Sequence, residues 1–216
     1  MQKKSIPVTR TAHYYLHGKP GKHVENLWIA CHGYGQAAER FIKKFTVANS
    51  ENTLIIAPEG LSRFYWGGFT GEVVASWMTS GDRLDEIDDF CNFLQTIYDK
   101  YAPQCADNVR ITLFGFSQGV ATIFRWAFAE KPLCHNIVLW AGSIPDELDY
   151  TPHHAYLSDK KLYFVYGTED EFLTLARLEK LHALFAAKGM NPQEMSFEGK
   201  HRVDRDALLK LMRKMS

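Results

Sequence analysis

Two hydrophobic periods alternate along this chain. Short runs of strand length recur at 24–31, 53–57, 109–114, 136–140 and 162–166, and a last strand is expected at 193–197. The short run 53–57 is apolar after Thr53 and stopped by Pro58, which reads as a strand buried on both faces of a parallel sheet. Between these runs the period lengthens. Residues 82–101 place Leu84, Ile87, Phe90, Cys91, Leu94, Ile97, Tyr98 and Tyr101 at helical spacing. Ser80 or Asp82 is the expected N-cap there, and Pro103 lies beyond the end. Helices are also expected over 37–47, 118–130, 172–188 and 203–214. Residues 11–17 alternate loosely and read as a first strand, with 24–31 antiparallel to it across the Gly- and Pro-bearing turn 17–22. Strands alternating with helices predict an α/β chain with a mostly parallel sheet and helices on both faces. No repeat, low-complexity tract or linker interrupts the pattern, so a single domain over residues 1–216 is expected.

Composition narrows the partners. Lys plus Arg equal Asp plus Glu at 25 each, so no global charge draws the chain to nucleic acid or to an anionic membrane surface. The expected partner is a small molecule, and the assembly a monomer or homodimer. Lys3 and Lys4 are not followed by an apolar signal-peptide core, and no apolar run approaches the ~18 residues of a membrane span, so a cytoplasmic location is expected. Cys31, Cys91, Cys105 and Cys134 are widely spaced, which favours buried reduced thiols over a metal site or a disulfide framework.

The most specific chemical signal is Gly115-Phe116-Ser117-Gln118-Gly119, set between a strand-like run and a helix-like run. That context makes Ser117 the nucleophile of a strained strand–turn–helix elbow, at a helix N-terminus whose partial positive charge favours a developing anion. A serine hydroxyl cannot attack a carbonyl unaided; it needs a base, and the base needs an orienting carboxylate. In such sheets the order along the chain is Ser, acid, His. Of the nine histidines, His182 and His201 follow Ser117 with an acidic, strand-ending loop between. His182 falls inside a helix, where a structural role is expected; His201 falls in the loop between last strand and last helix and is chosen as the base.

Asp170 follows the strand 162–166 by way of Gly167-Thr168-Glu169 and is the chosen acid. Glu169 faces another way, and Asp146 and Asp149 are the alternatives. Asp170 has a competing role as N-cap of the helix expected at 172–188, and one carboxylate is not expected to serve both. Two backbone N–H groups are needed for the oxyanion: Gln118, directly after the nucleophile, and Tyr34, between Gly33 and Gly35 in the loop after an early strand. His32 precedes Ser117 and is expected to hold that loop by hydrogen bonds. A metal site of His32 with His153 and His154 fits no ligand spacing.

Taken together, Cys31-His32-Gly33-Tyr34-Gly35, the elbow, Gly167-Thr168-Glu169-Asp170 and Gly199-Lys200-His201 resemble the phospholipase/carboxylesterase family over roughly residues 24–213. The resemblance implies an α/β-hydrolase fold, a three-layer α/β/α sandwich on about seven strands. It also implies ester or thioester hydrolysis without a cofactor or metal, through Ser117, Asp170 and His201, with Tyr34 and Gln118 at the oxyanion. The chain departs from the family pattern at Val120, where a further glycine is usual, at Gln36, where Asp is frequent, and in the shortened Gly199-Lys200-His201. The stretch Ala75-Ser76-Trp77-Met78-Thr79 differs from the thioesterase branch and points to a bacterial-type esterase branch.

Substrate preference is expected to reside in residues 58–81, a long connection rich in glycine and aromatics. Phe64, Tyr65, Trp66, Phe69, Trp77 and Met78 are candidates for an acyl or aromatic pocket, or for packing the loop onto the domain. Arg63 and Arg83 are weaker candidates for meeting an anionic substrate end. No long apolar lid helix is visible, which favours short-chain or soluble esters over a true lipase. A serine acyltransferase or peptidase on the same three residues, and a non-catalytic binding protein of the same fold, are the rival functions.

Overall fold

The computed structural model describes residues 1–49 and 51–215. Its central sheet has seven strands: β1 (Tyr14–His17), β2 (Asn26–Cys31), β3 (Thr53–Pro58), β6 (Arg110–Phe116), β7 (Asn136–Trp140), β8 (Lys161–Gly167) and β9 (Gln193–Phe197). Their spatial order is β1-β3-β2-β6-β7-β8-β9. Every pairing is parallel except that of β1 with β3. The antiparallel first strand is therefore present, but its neighbour is β3 and not the next strand in the chain. The central strands are fully buried, so their registers are set by side chains on both faces.

The period of two sorts the core. Leu27, Ile29, Leu54, Ile56, Ile111, Leu113, Ile137, Leu139 and Phe164 belong to one cluster. Trp28, Ala30, Ile55, Ala57, Phe114, Phe116, Val138, Trp140, Tyr163 and Val165 belong to the other. The first is closed by α2 (Arg83–Tyr101), α3 (Gln118–Glu130) and α5 (Leu175–Ala187), through residues such as Leu94, Phe124 and Phe185. The second is closed by α1 (Ala38–Phe41) and α6 (Arg205–Met215), through Phe41, Leu208 and Leu211. A short α4 (His154–Leu157) precedes β8. The result is the three-layer sandwich of an α/β hydrolase, with the sheet screened on both sides.

Local outcomes differ from the periodic reading in three places. The helix expected over 37–47 is a single α turn continued as a 3₁₀ turn over Ile42–Phe45. The helix expected from 172 starts only at Leu175, with Thr174 at its N-cap. The connection 58–81 is not structureless: β4 (Ser62–Tyr65) and β5 (Val73–Ser76) form an antiparallel hairpin, registered Ser62↔Ser76 to Tyr65↔Val73. Asp82 is the residue preceding α2, in a left-handed conformation and without a side-chain capping bond. None of the helices is long and apolar enough to cross a membrane, among the described residues.

Candidate active site

Ser117 stands between the end of β6 and the first residue of α3, with φ +53° and ψ −116°. That backbone conformation costs on the order of 1–3 kcal/mol for a residue with a Cβ, and it persists only because the surroundings fix it. They do so sterically. A Cβ at Gly115 would overlap the Gly119 carbonyl, and one at Gly119 would overlap the Cys31 carbonyl. The two glycines thus let strand and helix cross at van der Waals distance, and Gly142 makes the same allowance for the Ser117 carbonyl. The Ser117 N–H donates to the Trp140 carbonyl at 2.8 Å, which ties the elbow to β7.

Asp170 and His201 come from the ends of β8 and β9, which pair in parallel. Their loops are sewn together: Thr168 N–H donates to Phe197 O and Glu169 N–H to Gly199 O, each at 2.9 Å. A Cβ at Gly167 would overlap the Gly199 carbonyl, so the loops also lie in contact. This closeness sets the His201 Nδ1 to Asp170 Oδ2 hydrogen bond at 2.7 Å. The Asp170 side chain is 0% exposed and that of His201 15%. A wholly buried carboxylate needs its lone pairs used. Oδ2 meets His201 while Oδ1 accepts the Phe172 N–H at 2.8 Å. Asp170 does not cap the helix, which starts later with Thr174 at its N-cap position; its Oδ1 instead ties down the loop at Phe172 while Oδ2 faces His201. The His201 ring is packed between Phe116 at 4.9 Å and Phe172 at 4.7 Å, centroid to centroid.

The alternatives lie elsewhere. His182 Nε2 bonds Glu194 Oε2 at 2.9 Å on an exposed face of α5. Asp149 accepts the Thr151 N–H, and Asp146 and Glu169 are exposed. His153 stacks on Phe128 at 3.9 Å and His154 bonds the Lys188 carbonyl, whereas the partners of His32 are Gly33 and Gly60. Among the described residues no group of three or more His, Cys, Asp or Glu side chains is arranged to hold a metal ion.

The loop bearing Tyr34 is braced from beneath. His32 is fully buried; its Nε2 accepts the Gly60 N–H at 3.0 Å, so the proton sits on Nδ1, which donates to Gly33 O at 2.7 Å. Burial drives the His32 pKa down from 6.5 to about 4, against smaller upward pulls from the Gly33 carbonyl and Glu59. The His32 carbonyl in turn accepts the Trp77 indole N–H at 2.9 Å. The Gln118 side chain completes the brace, accepting the Trp77 N–H at 3.1 Å and donating to Met78 O at 2.9 Å. Among the described residues no protein acceptor takes the backbone N–H of Tyr34 or Gln118. Gly33 lies against Phe116 and Ser117, where an added Cβ would stand 3.2 Å from the serine Cβ. The loop is thus held beside Ser117, with the Tyr34 and Gln118 N–H groups left open.

Ser117 and His201 line one cavity of about 520 Å³. Its other walls are Gln118, Ala121, Ala141, Gly142, Ser143, Phe172, Leu173, Arg177, Lys180, Leu181 and Leu184. None of the six aromatic and Met candidates from 58–81 lines it. Trp77 is a core residue against Phe90, and Met78 packs on the same core. Phe64 and Trp66 instead cluster with the Tyr34 ring, at 5.4 and 6.1 Å. Tyr65 and Phe69 point outward, Phe69 being 97% exposed. Arg63 pairs with Glu59, and Arg83 with Glu147, so neither faces the cavity. The α5 wall escaped the sequence reading, although Arg177, Lys180, Leu181 and Leu184 fall at i, i+3, i+4 and i+7 and so share one helical stripe.

Over residues 18–215 the sequence matches the phospholipase/carboxylesterase family. The chain belongs to that family. Membership supports an ester-hydrolysing enzyme of esterase or thioesterase type. The fold is similar to that of acyl-protein thioesterase 2 from Zea mays, with a TM-score of 0.70 at 16% identity over 95% of this chain and 98% of that one. It is similar to the Bacillus cereus carboxylesterase as well, with 0.63 at 16% identity over 94% and 92%. Esterase PE8 gives 0.66 at 15% identity over 96% and 100%. At such identities the likeness speaks for the fold. No curated protein sequence matches the chain significantly.

Proposed function

We propose that this member of the phospholipase/carboxylesterase family is a serine hydrolase that cleaves small or short-acyl carboxylic esters, thioesters included, through an acyl-enzyme on Ser117. The observation that carries the reading is the buried Asp170 carboxylate held 2.7 Å from His201 Nδ1, with His201 and Ser117 on one cavity wall. In this reading His201 Nε2 takes the Ser117 proton as Oγ attacks the carbonyl carbon. The carbonyl π electrons move to oxygen, where the Tyr34 and Gln118 N–H groups meet them. Collapse expels the alcohol or thiol, which receives the proton from His201, and water then attacks the acyl-enzyme by the same sequence of proton transfers. Asp170 fixes the imidazole with Nδ1–H toward the carboxylate and stabilises the imidazolium. The substrate is a small-molecule ester, and no cofactor enters the scheme.

The test is release of p-nitrophenol from its acetate or butyrate ester, with mass-spectrometric mapping of a fluorophosphonate adduct. Wild type hydrolyses the ester and labels at Ser117, while Ser117→Ala does neither. Full activity in Ser117→Ala, or an adduct on another residue, overturns the assignment.

A further inference from the structure

The cavity beside Ser117 is uneven in charge. Apart from His201, the only ionisable side chains among its lining residues are Arg177 and Lys180, and no acid lines it. The chain as a whole balances 25 basic against 25 acidic residues, so this is a local separation of charge. Most of the remaining wall is apolar: Ala121, Leu173, Leu181 and Leu184, closed toward the nucleophile by Phe172. Elsewhere the arginines near the site are neutralised. Arg63 pairs with Glu59, and Arg83 and Arg125 share Glu147. Among the described residues no carboxylate pairs with Arg177 or Lys180. Arg177 is nevertheless oriented, because Nη1 donates to the Phe172 carbonyl at 2.9 Å. One donor of its five-donor fork is thus used at a residue whose ring touches His201, and the rest of the fork stays open.

We propose that the substrate is an ester one limb of which is a short apolar chain carrying an anionic group, carboxylate or phosphate, at its far end. The apolar limb lies along Ala121, Leu181 and Leu184, and the anion meets Arg177 and Lys180. This inference names the substrate class of the Ser117 site and rests on the reading of Ser117 as nucleophile. The anion has two possible sources, the acyl limb and the leaving group, and both present the same chemistry to the α5 stripe. Because Arg177 and Lys180 are exposed, their attraction is screened by salt.

The experiment compares matched pairs of substrates. Mono-p-nitrophenyl adipate against p-nitrophenyl hexanoate puts the charge on the acyl limb. 4-(Butyryloxy)butanoate against butyl butyrate puts it on the leaving group. The anionic member is expected to show kcat/KM about fivefold above the neutral one in one of the pairs, as suits partly exposed ion pairs. The preference falls as salt rises, sits in KM rather than kcat, and drops to about one in Arg177→Gln/Lys180→Gln. It persists in Lys210→Gln/Arg213→Gln, a charge-matched control on α6. A neutral preference in both pairs, or an anionic preference that survives in the double variant, overturns the substrate class while leaving the esterase reading intact. Failure of wild type to hydrolyse any of the four esters sinks the nucleophile reading, and this inference with it.

Discussion

His32 makes acid a specific perturbation of this fold. Its ring is fully buried, accepts the Gly60 N–H at Nε2 and donates to Gly33 O from Nδ1. Protonation would add a hydrogen to Nε2, which would then face the Gly60 N–H donor, and would place a charge in a buried site beside Trp77. Burial accordingly holds the folded-state pKa at about 4, against 6.5 for a free imidazole. With the folded pKa below the unfolded one, the unfolded chain binds more protons between these values. Stability is therefore intact above about pH 6.5 and is lost as pH falls toward 4. A gap of this size integrates to about 3 kcal/mol between pH 7 and pH 4, since each unit of pKa shift is about 1.4 kcal/mol. The assay is urea unfolding at a series of pH values for wild type and for His32→Gln, which keeps a donor and an acceptor but does not titrate in this range. Carboxylate titrations common to both proteins cancel in the difference. The wild-type advantage at pH 7 should shrink by about 3 kcal/mol by pH 4. Parallel pH profiles for the two proteins would refute the buried neutral imidazole.

Further outcomes follow from the site. Asp170→Asn keeps an acceptor for the Phe172 N–H but loses the carboxylate that orients His201, so kcat should fall about 10³- to 10⁴-fold with little change in Tm; a matching loss of Tm would make Asp170 structural. His182→Ala removes a surface pair with Glu194 and should leave ester hydrolysis within about twofold, whereas His201→Ala abolishes it; the reverse pattern of rates would exchange their roles. Gly119→Ala drives a methyl into the Cys31 carbonyl, and calorimetry should find Tm lowered by roughly 6–12 °C for about 3 kcal/mol of overpacking. An unchanged Tm there would show that strand and helix do not cross so closely.

Some of this protein was legible in one dimension. The strand Asn136–Trp140 falls where its apolar run places it, because burial on both sheet faces demands an unbroken apolar run, and the bounds of Gln118–Glu130 and Gln193–Phe197 agree with the sequence reading as well. The elbow is equally local: five residues between strand and helix specify the strained turn at Ser117. Chain order supplied Asp170 and His201 as candidates, and family membership follows from the sequence as well.

What the chain order could not supply was proximity. Asp170 meets His201 because β8 and β9 are parallel neighbours whose closing loops bond to each other, a relation fixed by sheet order and not by spacing. β1 lies on β3 rather than on the strand that follows it, since an edge strand takes whichever neighbour the sheet leaves unpaired. The aromatics of 58–81 look like a substrate pocket in sequence, but the hairpin register turns Trp66 onto Gly35 and leaves Phe69 in solvent, while Trp77 descends into the core. The cavity wall comes instead from α5, a helix whose stripe of Arg177, Lys180, Leu181 and Leu184 acquires its meaning only when packing lays it beside Ser117. Local sequence thus determined the elements and the strained elbow at Ser117, because each is set by neighbours within a few residues; the tertiary fold decided which side chains meet, because those contacts join segments that the chain keeps far apart.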